Sequence, residues 1–205
     1  MTQQWQEWTR WTTRILGGGA LLAAATVCSM ALEPSALKST ATPPLAGEAA
    51  PDFELAAHAG SQEGQVKLSE SLKKGPVVLL VLRGYPGYQC PLCTRQVGSF
   101  LAKADRFRQL GATVLFVYPG PSGQLDQRAG EFLKGIELPA PFTLLLDPDY
   151  QFTNAYGLRW NAPRETAYPA TFVIAADGKV SYALVSKTHG GRSDVDAVLK
   201  ALATR

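Results

Sequence analysis

The 205-residue chain is 46% hydrophobic and 18% charged, with 19 glycines and 14 prolines, a balance that excludes a disordered or collagen-like polypeptide. A net charge of +3, spread without a basic run, gives no electrostatic footprint for nucleic acid. Three cysteines are too few for a disulfide scaffold.

Residues 15–32 form an uncharged, mostly apolar run preceded by Arg10 and Arg14 and followed by Glu33. Its length and flanks fit either a signal peptide with a small-x-small site at Ser29-Met30-Ala31, or a transmembrane anchor. Trp5, Trp8 and Trp11 favour the anchor, because indoles settle at membrane interfaces. Either way, residues 1–32 are expected to be a hydrophobic helix that leaves the following domain outside the cytoplasm, periplasmic or equivalent. Cys28 lies within this run and reads as a small hydrophobe. Residues 33–46, rich in Pro, Ala, Ser and Thr, read as a linker, and residues 47–205 as the folded domain.

Within that domain, Val77–Leu82 is a continuous apolar run behind Gly75-Pro76, the pattern of a buried strand. Apolar residues at Val97, Phe100, Leu101, Ala104, Phe107 and Leu110 predict a helix stopped by Gly111. Ala112–Tyr118 and Phe142–Leu146 predict two more strands, with a helix between them over Gln124–Lys134 and a short one around Tyr150–Tyr156. Thr171–Ala175 and Val180–Ser186, joined by Asp177-Gly178, predict a hairpin. A last helix over Asp194–Ala203 is expected to be capped by Ser193. This order implies an α/β fold: a mixed sheet with helices on both faces.

The chemistry points to Cys90-Pro91-Leu92-Cys93, just after the first apolar strand. Pro91 suits the first position of a helix, which puts Cys90 at the N-cap and Cys93 in the first turn, on one face. Free N–H groups and the helix dipole stabilise a thiolate there, and Arg95 is expected to add positive charge. Zinc would need four ligands, and His58 and His189 are isolated in the sequence. No resident metal or organic cofactor is implied. Soft Cu(I) could still suit Cys90 and Cys93 with His189, so a copper chaperone is a further reading.

Three stretches together resemble the thioredoxin-like superfamily, in its branch of alkyl hydroperoxide reductase, thiol-specific antioxidant and peroxiredoxin-like proteins. They are Gly47–Leu55, the Arg83-Gly84…Cys90-Pro91-Leu92-Cys93 unit, and Tyr168-Pro169-Ala170-Thr171-Phe172. The resemblance implies a thioredoxin-like fold over about Ala46–Leu202 and a cis Pro169 beside the cysteines. Pro86, Pro91 and Pro169 would then shape a substrate groove.

It also implies one of two mechanisms. In a thiol–disulfide oxidoreductase, the leading reading, Cys90 attacks a disulfide-bearing protein and Cys93 releases the mixed disulfide. In a thiol peroxidase, the Pro-x-x-x-Thr-x-x-Cys pattern aligned on Pro86 makes Cys93 the peroxide-attacking cysteine and puts Cys90 in place of the threonine. Both readings need an external thiol electron donor. The branch's second, peroxide-positioning arginine aligns with Pro169, so this chain lacks it at that position.

Overall fold

A computed structural model describes residues 41–204. The segment expected to be a signal peptide or anchor, and most of the expected linker, lie outside the described residues. Among the described residues no helix is long and apolar enough to cross a membrane.

The chain opens with β1 (Glu54–Gly60), β2 (Gln65–Lys67) and the short α1 (Leu68–Leu72). Next come β3 (Val77–Val81), α2 (Pro91–Leu101), α3 (Ala104–Gln109) and β4 (Thr113–Gly120). They are followed by α4 (Ser122–Phe132), β5 (Phe142–Pro148) and α5 (Gln151–Ala155). The chain ends with β6 (Ala170–Ile174), β7 (Val180–Val185) and α6 (Val195–Ala203). The seven strands form one sheet in the order β2-β1-β5-β4-β3-β6-β7. β3, β4 and β5 are parallel neighbours, whereas β6 runs antiparallel to β3. This is the mixed, thioredoxin-like sheet expected.

β3 is central, and all five of its residues are buried. Side chains alternate across a strand. Val78 and Leu80 therefore join one core with Phe100, Phe107, Leu125, Phe132 and Val198, drawn from α2, α3, α4 and α6. Val77, Leu79 and Val81 face a second core with Leu68, Leu72, Phe152 and Tyr156, drawn from α1, α5 and its C-terminal end. A strand buried on both faces reads as an unbroken apolar run, which is why Val77–Leu82 shows no alternation.

Three local expectations are corrected. The single helix through Leu110 is two, α2 and α3, with a break at Ala102 and Lys103. Asp194, not Ser193, caps α6: its carboxylate accepts from the N–H groups of Asp196 and Ala197. The Ser193 hydroxyl instead turns inward to Thr171 Oγ1 at 2.6 Å. The bond preceding Pro169 is trans; the cis peptide among the described residues is Ala140–Pro141. Pro169 enters β6 in register, its carbonyl accepting from Ser186 N–H at 2.8 Å and Ala170 pairing with Val81.

Phe107 tests this core. It is fully buried, stacks on Phe100 at 5.6 Å and meets Phe142 edge-on at 5.8 Å. Phe107→Ala should cost about 3–5 kcal/mol in a denaturant titration, the usual penalty for emptying a buried aromatic site.

Candidate active site

The loop after β3 places the cysteines. Gly84 takes a φ of +73°, and a Cβ there would meet the Pro119 carbonyl oxygen at 2.0 Å, so only glycine lets this loop pass so close to the end of β4. Beyond it, Cys90 is the N-cap of α2 and Pro91 its first residue, as the sequence predicts. The Cys93 N–H donates to Cys90 Sγ at 3.4 Å, holding the two side chains at one helix end. Both are free thiols.

Cys93 Sγ also accepts from the Arg83 N–H at 3.4 Å. The cation at the pair is Arg192, from the loop between β7 and α6. Its Nη2 lies 3.3 Å from Cys93 Sγ and 3.7 Å from Cys90 Sγ. This corrects the expectation for Arg95, which α2 turns outward into solvent. Arg192 is itself fixed: Nη1 donates to Gln96 Oε1 at 2.8 Å and Nε to the His189 carbonyl at 3.1 Å. Gln96 Nε2 donates in turn to Ser193 Oγ at 3.3 Å, so α2, β6 and the Arg192 loop are tied through side chains. Nothing in the sequence signals Arg192, which lies 99 residues from Cys93.

A second buried guanidinium supports the loop. Arg83 Nε donates to Glu165 Oε2 at 2.8 Å, Nη1 to Tyr88 Oη at 2.6 Å and Nη2 to the Arg164 carbonyl at 2.9 Å. Glu165 Oε1 also meets His189 Nε2 at 2.8 Å. His189 is thus paired with Glu165 and packed against Trp160 rather than directed at the sulfurs. No cluster of three metal-ligating side chains occurs among the described residues, so His189 does not join the two cysteines as a third ligand.

The environment separates the two thiols. Cys90 is driven down to about 5 by the hydrogen bond from the Cys93 thiol, with the Cys93 N–H and Arg192 adding to it against the opposing effect of burial. Cys93 is pushed well up, because its proton is held in that bond to Cys90 and because it is deeply buried. One negative charge is therefore shared by two sulfurs at a positive helix end. Both side chains are buried, with relative exposures of 4% for Cys90 and 1% for Cys93. Of the prolines expected to shape a groove, Pro91 is exposed, Pro86 half-buried and Pro169 buried. A separate groove of about 300 Å³, which shares Arg192 with the pair, is lined by Leu92, Arg95, Gln96, Arg192, Asp194 and Val195, among others.

A seven-stranded mixed sheet, with a cysteine pair capping the helix after its central strand, defines a thioredoxin-fold thiol protein. The chain belongs to the AhpC/TSA family, whose model matches residues 46–183. It is 31% identical over 136 residues to peroxiredoxin Q, chloroplastic, of Oryza sativa subsp. japonica; the match covers 66% of this chain and 57% of that protein. The chain therefore spans little more than half the length of this relative. It is 28% identical over 140 residues to peroxiredoxin Bcp of Bacillus subtilis (strain 168), covering 65% of this chain and 80% of that one. Among solved structures, peroxidoxin BcpB from Mycobacterium tuberculosis superposes with a TM-score of 0.60 at 24% identity, covering 78% of this chain and 97% of that one. The reduced 2-Cys peroxiredoxin of Plasmodium vivax gives 0.63 at 22% identity, covering 78% and 81%. These two likenesses speak for the fold.

The charge on the pair can be read by thiolate absorbance near 240 nm. The reduced protein should show one thiolate with a midpoint near pH 5. Arg192→Met should move that midpoint up by about one pH unit or more, because a neighbouring cation favours the anion. A midpoint unchanged by Arg192→Met would contradict the role given to this guanidinium.

Proposed function

We propose that the protein is a thiol-dependent peroxidase in which Cys93 attacks the peroxide and Cys90 resolves the product. The observation that carries this reading is the burial of both sulfurs under a guanidinium that contacts each of them. A peroxide is small enough to enter such a site, whereas a folded protein bearing a disulfide is not. The AhpC/TSA family and the peroxiredoxin relatives favour the same chemistry.

The chemistry balances with the groups present. The proton between the sulfurs shifts to Cys90, leaving Cys93 as thiolate beside the Arg83 N–H and the Arg192 guanidinium. Cys93 attacks the distal peroxide oxygen, the O–O bond breaks, and the leaving alkoxide or hydroxide takes the proton from Cys90. Cys93 is now a sulfenic acid and Cys90 a thiolate. Cys90 attacks the Cys93 sulfur, the S–O bond breaks, and the departing hydroxide is protonated to water. The Cys90–Cys93 disulfide that results is returned to two thiols by an external thiol donor. No cofactor is needed.

One observation favours the thiol–disulfide oxidoreductase reading. Cys90, the first cysteine, is both the shallower sulfur and the one with the lowered pKa, the attack order of a thioredoxin-like enzyme. The apolar run 15–32 behind Arg10 and Arg14 supports placing the domain at a membrane, outside the cytoplasm.

Stopped-flow mixing with hydrogen peroxide separates the readings. Cys93→Ser should reduce peroxide consumption to the rate of a free thiol. Cys90→Ser should still consume about one equivalent and then stall as a sulfenic or sulfinic acid. Peroxide turnover that survives Cys93→Ser, or brisk insulin reduction by the wild type that Cys90→Ser abolishes, would overturn the peroxidase in favour of the oxidoreductase.

A further inference from the structure

Two loops deliver donors to the Cys93 sulfur, and one carboxylate is tied to both loops. Arg83 brings its backbone N–H, 3.4 Å from Cys93 Sγ, and Arg192 its guanidinium, 3.3 Å away. Glu165 Oε2 accepts from Arg83 Nε at 2.8 Å. Its Oε1 lies 2.8 Å from His189 Nε2, and the His189 carbonyl accepts from Arg192 Nε at 3.1 Å. Among the described residues no other acid forms an ion pair with Arg83 or His189.

The segment that carries Glu165 is built to hold it still. Arg159 and Ala167 bridge to close a loop. Arg159 Nη1 donates inside that loop to the carbonyls of Trp160 at 2.8 Å, Glu165 at 3.2 Å and Thr166. The same guanidinium lies 4.0 Å over the Tyr150 ring. Trp160 stacks on Tyr168 at 4.7 Å and packs against the His189 ring at 5.2 Å. The side chains of Glu165 and Arg83 are only 11% and 3% exposed, so neither is a solvated surface charge. Against the opposing effect of burial, the bonds from Arg83 and His189 hold the Glu165 carboxyl below its ordinary range.

A carboxylate placed this way acts on a nearby thiolate in two opposed senses. Its charge disfavours a second anion, whereas its bonds hold donors against the sulfur, which favours that anion. Arg83 offsets the charge at 2.8 Å, and the bonds remain. We propose that Glu165 is a positioning residue of the cysteine pair: it keeps the Arg83 N–H and, through His189, the Arg192 guanidinium against Cys93, and so favours the thiolate in spite of its own negative charge. The inference does not depend on whether the pair meets a peroxide or a disulfide, since both reactions start from a thiolate.

Thiolate absorbance of the reduced full chain, titrated from acid to neutral pH, tests this by its sign. Glu165→Ala should raise the midpoint by about half a pH unit or more, because the donors lose their hold on the sulfur. Glu165→Gln keeps the length and one acceptor oxygen, and should raise it less. His189→Ala cuts one arm at an exposed side chain and should give a smaller rise of the same sign. Combined with Arg192→Met, Glu165→Ala should add less than it does alone, since residues that act through one another are not additive. Phe107→Ala, which loosens the core without touching these bonds, should leave the midpoint in place. A midpoint that Glu165→Ala leaves unmoved or lowers would overturn the proposal, a fall being the mark of a role through charge alone. A Gln variant displaced as far as the Ala variant, full additivity with Arg192→Met, or an equal shift in Phe107→Ala would overturn it too. Should Glu165→Ala fail to fold, His189→Ala decides: no rise there contradicts the proposal.

Discussion

The site depends on one guanidinium held between two sulfurs. Arg192 reaches Cys93 at 3.3 Å and Cys90 at 3.7 Å, at the end of a helix whose first N–H groups already favour negative charge. Burial raises the cost of an anion on either thiol, and the bond from the Cys93 thiol to Cys90, the Cys93 N–H and Arg192 together offset it. The pair can thus hold one charge, and several polar groups keep Arg192 in place beside it. Gln96, Ser193 and Thr171 tie the cation to α2 and β6. The His189 carbonyl receives its Nε, and the His189 ring is moored to Glu165. Glu165 also neutralises Arg83, whose backbone N–H faces Cys93. The cysteine loop, the loop around Glu165 and the Arg192 loop are thus one connected network.

The AhpC/TSA resemblance leads one to look for an arginine where Pro169 stands, and the structure supplies positive charge from the β7–α6 loop instead. The substitution of a cysteine for the threonine of the family pattern has a matching consequence. Cys90 can pass a proton, as a hydroxyl would, but it can also attack sulfur. In the proposed peroxidase, attack and resolution would be served by neighbours three residues apart in one helix turn.

The central strands were legible because burial on both faces produces unbroken apolar runs bounded by Gly and Pro, as at Val77–Leu82 and Phe142–Leu146. The N-cap geometry of Cys90 was legible because Pro91 has few other places in a helix. β1 escaped detection because most of its residues are only partly buried, which leaves no clear alternation. The break between α2 and α3 was invisible because the apolar spacing continues across it. Arg95 looked like the cation because it is near in sequence, yet a helix places residue 95 on a different side from residue 93. Arg192 could not be read at all: its position is set by a loop folded back over the sheet, and no local pattern encodes such a contact.

The central claim is that Cys90 and Cys93 act as one redox unit under Arg192. The most direct measurement is mass spectrometry of the reduced protein after one equivalent of hydrogen peroxide, with alkylation of the remaining thiols. The account predicts both thiols lost together and a peptide linked through Cys90 and Cys93. A product with Cys90 alkylated and Cys93 carrying a lasting oxide, or with both thiols still free, would contradict it.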